Sequence, residues 1–163
     1  MPYILFHKLF PDTAERETRT ITVLPNSNLG LPSAHYGFLE MFCDESGCDC
    51  RRVFFYVVSS ACKDVQAVVA YGWEPYDFYA RWMHDDDPEI VVELKGPALD
   101  LSTPQSDLAP AILDLIRNLL LKDEVYVERV KMHYKMFREE IERKGIMKNR
   151  FNPCVYKYNP KKP

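Results

Sequence analysis

The segment Cys43-Asp44-Glu45-Ser46-Gly47-Cys48-Asp49-Cys50-Arg51-Arg52 places three thiols within eight residues. Thiolates bind zinc tetrahedrally at about 2.3 Å, so three sulfurs folded toward one point make a metal site. Gly47 supplies the conformational freedom that a tight turn needs. The spacing is C-x4-C-x-C rather than the paired C-x2-C form. Metal binding is the leading expectation, with free thiols or a redox or catalytic thiol as alternatives. The chain has five cysteines, an odd number. In a reducing compartment this speaks for metal ligands or free thiols over a disulfide framework.

Zinc needs a fourth ligand, and chain geometry ranks the candidates. A strand from His35 to Cys43 would hold its ends roughly 26 Å apart at ~3.3 Å per residue, which removes His35. Cys62 follows Cys50 by twelve residues, beyond the next strand, and belongs at the opposite end of the sheet. Cys154 lies on a C-terminal tail without that constraint, so Cys43, Cys48, Cys50 and Cys154 form the expected zinc set. Asp44, Asp49, His84, His133 and water stay open for the fourth place. Four protein ligands would make the site structural. Three ligands and a water would permit hydrolysis, since zinc brings bound water to a pKa near 7. Arg51 and Arg52 would offset thiolate charge or bind an anion; otherwise they are strand-edge charges.

Other groupings carry less chemistry. Tyr71, Trp73, Tyr76, Phe78, Tyr79 and Trp82 form a dense aromatic group. It suits core-edge packing or, if several rings are exposed together, a partner groove. His84-Asp85-Asp86-Asp87-Pro88-Glu89 lacks the ligand spacing of a calcium loop and reads as a solvated connection. His133 falls beside an apolar helix stripe and is expected to be exposed or hydrogen-bonded. No G-x-S-x-G, phosphate-binding glycine loop or H-E-x-x-H occurs.

The elements that must position these residues follow from periodicity. Thr20 to Val23 alternates as a half-buried strand, and Tyr36 to Cys43 is a second candidate. Val53 to Val58 is apolar on both faces, as a central strand is. Val65 to Trp73 follows, and short connections make an antiparallel meander the simplest topology. Pro75 opens a short helix carrying Phe78 and Trp82, and Ile90 to Leu94 reads as a further strand. Leu108, Ile112, Leu115 and Leu119 mark one helix, capped by Asp107. Val127, Val130, Tyr134, Phe137 and Ile141 mark another, capped by Asp123 and stopped by Gly145. The expected fold is α+β: an antiparallel sheet of four to five strands packed against a C-terminal two-helix hairpin. Residues 1–148 form one domain and 149–163 an irregular basic tail.

The runs Glu40 to Cys43 and Cys48 to Val53 resemble a bacterial family of uncharacterised proteins with a Cys-x4-Cys-Asp-Cys-Arg-Arg segment. So do Tyr71 to Glu74, Phe78 to Met83, Tyr126-Val127 and His133-Tyr134. The resemblance brings no activity and no catalytic residue. Some similar proteins carry a cysteine-rich zinc motif like that at the C-terminus of the secretion ATPase. Asn152-Pro153-Cys154 is similar to its first cysteine, but the tail lacks the later ones.

Composition sets the outer limits. The 163 residues carry a net charge of −3, with 47% hydrophobic and 28% charged residues. That balance belongs to a globular domain and excludes collagen-like and largely disordered classes. From Lys131 onward, ten Lys/Arg stand against three Asp/Glu. Lys148, Arg150, Lys157, Lys161 and Lys162 interleave with Phe151, Tyr156 and Tyr158, a mixture that can bind single-stranded nucleic acid. Met1 to Phe10 is apolar but short and has no cleavage site, and no apolar run suits a membrane helix, so a cytoplasmic protein is expected. The leading expectation is a small zinc-binding interaction or adaptor module without catalysis, meeting a protein partner through its aromatic surface or tail. The alternatives are a three-cysteine zinc hydrolase and a nucleic-acid binder acting through the tail.

Overall fold

The run Val53-Phe54-Phe55-Tyr56-Val57-Val58 has no polar face, and it lies inside the sheet with neighbours on both sides. The computed structural model describes residues 3–151, with side chains through 145. Its six strands are β1 (Tyr3–Leu5), β2 (Arg19–Val23), β3 (Ala34–Cys43), β4 (Arg52–Ser59), β5 (Cys62–Gly72) and β6 (Ala98–Leu99). They form one antiparallel sheet in which β1 and β2 pair with different halves of β3, followed by β4, β5 and β6. The expected meander of three long strands is therefore its centre. The β3–β4 connection is the cysteine segment.

One sheet face carries the main core. Phe38, Phe42, Val53, Phe55, Val57, Ala67 and Val69 point to it at the period-two spacing of a pleated strand. Two helices cover them: α4 (Ala109–Asn118), with Ile112, Leu115 and Ile116, and α5 (Glu124–Phe151), with Tyr126, Val130 and Phe137. Burying side chains such as these stabilises by about 1.5–3 kcal/mol each before the entropy of ordering them is subtracted. α4 rests on β5 and β6, α5 on β3, and both meet the 3-10 turn Leu120–Lys122. Both helices thus pack on the sheet and meet at that turn.

The opposite sheet face carries a smaller cluster of Phe54, Val68 and Ala70, with Tyr3, Met41, Tyr56 and Val65 around it. α2 (Tyr76–Met83) and α3 (Pro88–Lys95) pack together, and α3 reaches β5 and β6. Gly72 lets the Tyr79 ring lie against β5, since a Cβ there would collide with the Tyr79 hydroxyl.

Three local expectations are corrected. Ile90 to Leu94 is part of helix α3, not a strand. Asp87 caps it by accepting from the Glu89 N–H at 3.0 Å, and Pro88 fills the first turn. Asp107 does not cap α4; the Ser106 hydroxyl instead accepts from the Leu108 N–H at 3.1 Å. Gly145 does not end α5, which runs on to Phe151. The first ten residues, given no element by pattern, hold β1 and a 3-10 turn, and α1 (Pro11–Glu17) follows. Asp123 does cap α5, accepting from the Tyr126 N–H at 3.1 Å.

Candidate metal centre

β3 ends at Cys43 and β4 starts at Arg52, so the loop must reverse the chain within eight residues. Gly47 at φ 74° and Arg51 at φ 48° make the reversal, both in the left-handed region. The loop brings the Sγ atoms of Cys43, Cys48 and Cys50 within 4.8 Å of one another. Tetrahedral ligands on zinc at about 2.3 Å have sulfurs roughly 3.8 Å apart, so the cluster is close to a chelating geometry.

Backbone N–H groups of the loop lie against the sulfurs. The N–H two residues after each cysteine donates to its sulfur: Glu45 to Cys43, Cys50 to Cys48 and Arg52 to Cys50. Each such bond stabilises the thiolate over the thiol. Burial acts against it and is the larger effect at all three, pushing the thiols up from their ordinary value. Cys43 and Cys50 are buried and Cys48 is half-buried. The chemistry available is soft, three-sulfur metal coordination with outer-shell hydrogen bonds already formed.

Helix α5 clamps the loop from outside. Arg138 donates to the carbonyls of Cys43 at 2.7 Å and Glu45 at 2.8 Å. One turn on, Glu142 accepts from the Gly47 N–H at 2.7 Å and the Ser46 hydroxyl at 3.1 Å, and it pairs with Arg138. These bonds, the Gly47 N–H first, hold the Glu142 carboxyl below its ordinary pKa. At the loop's end Arg51 is bound by Asp49 and Glu74. Its N–H donates to the Tyr134 hydroxyl at 3.2 Å, and its carbonyl accepts from the Tyr79 hydroxyl at 2.8 Å. Arg138→Ala is expected to weaken metal binding by about 10-fold, at the lower end of the 10–100-fold usual for outer-shell partners. Competition titration with a chromogenic chelator measures it.

Most other predicted ligands lie apart from the cluster. His35 and Cys62 stand at the far end of the sheet, in the registers Thr22↔His35 and Ser59↔Cys62, as strand length required. Asp49 is paired with Arg51, and His84 is exposed at the end of α2. Asp44 carries a buried Oδ1 without a hydrogen-bond partner, next to Cys43, but does not join the three-sulfur cluster. Cys154 and the basic residues from Lys157 lie outside the described residues. The Asp85 and Asp87 carboxylates serve the turn into α3, accepting from the N–H groups of Asp87 and Glu89. Of the six aromatic residues, Tyr79 is fully buried and the others are half-buried. That is core-edge packing rather than a group of exposed rings.

His133 is 2% exposed and lies between two carboxylates. Its Nδ1 is 2.7 Å from Glu40 Oε2 and its Nε2 is 2.6 Å from Glu17 Oε2. Carboxylates only accept, so the ring donates from both nitrogens and is an imidazolium. Tyr126 also donates to Glu40, at 3.3 Å, and the Phe6 ring stacks on the imidazole at a centroid distance of 4.4 Å. The group joins α1, β3 and α5 and takes His133 out of reach of the sulfurs. Sequence reasoning missed it, although a signal existed: Glu40 falls on the core-facing alternation Tyr36, Phe38, Glu40, Phe42.

No family model, curated protein or solved structure matches the chain. Among the described residues, no helix is long and apolar enough to cross a membrane.

Proposed function

We propose that this protein is a zinc-binding interaction module in which the metal fixes the β3–β4 loop, with Cys43, Cys48 and Cys50 as three of its ligands. One observation carries the reading: three sulfurs within 4.8 Å, each accepting an N–H from two residues on. A sulfur-rich donor set is typical of structural zinc, whereas most catalytic sites use histidine and carboxylate ligands. Cys154 is the candidate for the fourth place. The loop so fixed, together with the exposed side of α5, forms the surface offered to a protein partner, and the role is not catalytic.

The test begins with metal analysis of the purified full-length chain, for which about one zinc per chain is expected. Replacing zinc with cobalt(II) then gives the ligand-field spectrum of a tetrahedral site and sulfur-to-metal charge-transfer bands that count the thiolates. Cys154→Ser lowers the charge-transfer intensity by about a quarter if Cys154 is bound. Unchanged intensity removes it from the set and favours the hydrolase with water in the fourth place. A chain that retains no zinc after purification without chelator, and binds none on addition, overturns the proposal.

A further inference from the structure

The second sheet face holds a cavity of about 520 Å³ that the metal centre does not use. Its floor is Phe54, Ala70 and Ala98, the last two paired across β5 and β6, and its walls include Leu94 from α3 and Leu101 after β6. Arg52 opens onto it and is only 6% exposed. Its position follows from strand alternation: Arg52 and Phe54 share the face that Val53 and Phe55 do not. The guanidinium lies over the Phe54 ring at 5.0 Å, and its Nε is buried without a hydrogen-bond partner. Among the described residues no carboxylate pairs with Arg52, although arginine is almost never buried unpaired.

A largely desolvated, always-charged guanidinium whose Nε lacks a partner costs free energy unless a ligand supplies an anion. Two carboxylates border the cavity and neither does so. Glu93 is exposed at the rim, and Asp100 accepts from the Ser102 N–H and hydroxyl, the latter at 2.6 Å. They oppose a second negative charge on the ligand. The cavity volume falls in the range of small-molecule sites, which combine apolar walls with a few placed polar groups. Leu101 and Ile90 at its border are 77% and 42% exposed, apolar surface that an occupant would cover.

We propose that this cavity binds a small amphiphile with one anionic head, the head forked by Arg52 and the apolar body lying between Phe54, Leu94, Ala98 and Leu101. The proposal does not rest on zinc, but Arg52 also follows Cys50 by two residues and its charge favours the Cys50 thiolate. The experiment therefore has to separate service to the sulfurs from service to a ligand.

Isothermal titration of the full-length chain with decanoate, decyl phosphate, decanol and decylamine provides the test. Binding of decanoate or decyl phosphate, at least 10-fold tighter than decanol and with no binding of decylamine, is expected. The ratio of the first two identifies the head as carboxylate or phosphate. Arg52→Gln should weaken that binding at least 10-fold while zinc content stays unchanged. Leu101→Asp, at an exposed position where folding is not at risk, should weaken it similarly, and Glu93→Gln should tighten it a few-fold. Absence of binding by both anions, equal binding of decanol, or indifference to Arg52→Gln and Leu101→Asp each overturns the proposal. Loss of zinc in Arg52→Gln does the same, by assigning the guanidinium to the thiolates.

Discussion

Chelation of the proposed zinc is expected to lower the melting temperature of the full-length chain by roughly 10 °C, and Cys43→Ser to abolish that response. A ligand that binds only the folded state stabilises by about 4 kcal/mol at a thousand-fold excess over its Kd. Each kcal/mol moves the midpoint of a chain this long by about 2–4 °C. The size of the effect follows from the position of the loop. It joins two central strands, and its Cys43 end is bound to α5 through Arg138. The loss should nevertheless be partial: the core on the helix-covered face and the Arg138–Glu142 clamp do not depend on the metal. A calorimetric scan with and without chelator measures the shift, and reversal by added zinc shows that the chain was not damaged. A midpoint that chelator leaves unmoved would mean that no metal supports the fold.

Replacing His133 with Leu has the other large effect, because it strands Glu40. The Glu40 side chain is 4% exposed, and with His133 gone its one remaining hydrogen-bond partner among the described residues is the Tyr126 hydroxyl. Breaking a buried pair by removing one member costs about 3–5 kcal/mol, since the remaining charge stays desolvated. At about 2–4 °C per kcal/mol the midpoint should fall by roughly 6–20 °C. The stability of this group also depends on pH. Burial alone would lower the His133 pKa, but Glu40 and Glu17 together outweigh it, and the net shift is upward from 6.5. A base with a raised folded-state pKa contributes fully below its unfolded value and loses that contribution as pH rises through the folded one. Glu17 is shifted down from 4.5, chiefly by its hydrogen bond to His133, and its contribution is lost as pH falls through the lowered value. The group is therefore strongest between about pH 4.5 and 6.5. The difference in midpoint between wild type and His133→Gln should be greatest in that window and shrink on the alkaline side. A difference that grows as pH rises would show that the ring is neutral in the folded chain.

Much of the framework was readable from local pattern. The period-two runs and the all-apolar Val53 to Val58 gave β2 to β5 within a few residues, because alternation is set by which face is buried. The steps of three and four gave α4 and α5 for the same reason. Ile90 to Leu94 was misread because a five-residue run with four apolar positions fits a strand or a buried helix equally. The Asp87-Pro88-Glu89 start that decides between them lies outside that run. Gly145 was misread because glycine in a helix interior costs only about 1 kcal/mol, less than a long packed helix can offset.

The residues Cys43, Cys48 and Cys50 and their candidacy as ligands came from the sequence alone, since spacing within eight residues restricts how far sulfurs can separate. Strand length likewise excluded His35 and Cys62. Only the tertiary structure decided that α5 holds the loop through Arg138 and Glu142, some ninety residues away. It also decided that His133 is bound between Glu40 and Glu17, and that Arg52 is buried beside a cavity rather than at a strand edge. Each of those facts depends on which distant side chains share a desolvated space. Local periodicity records the face on which a residue lies but not the partner it meets there.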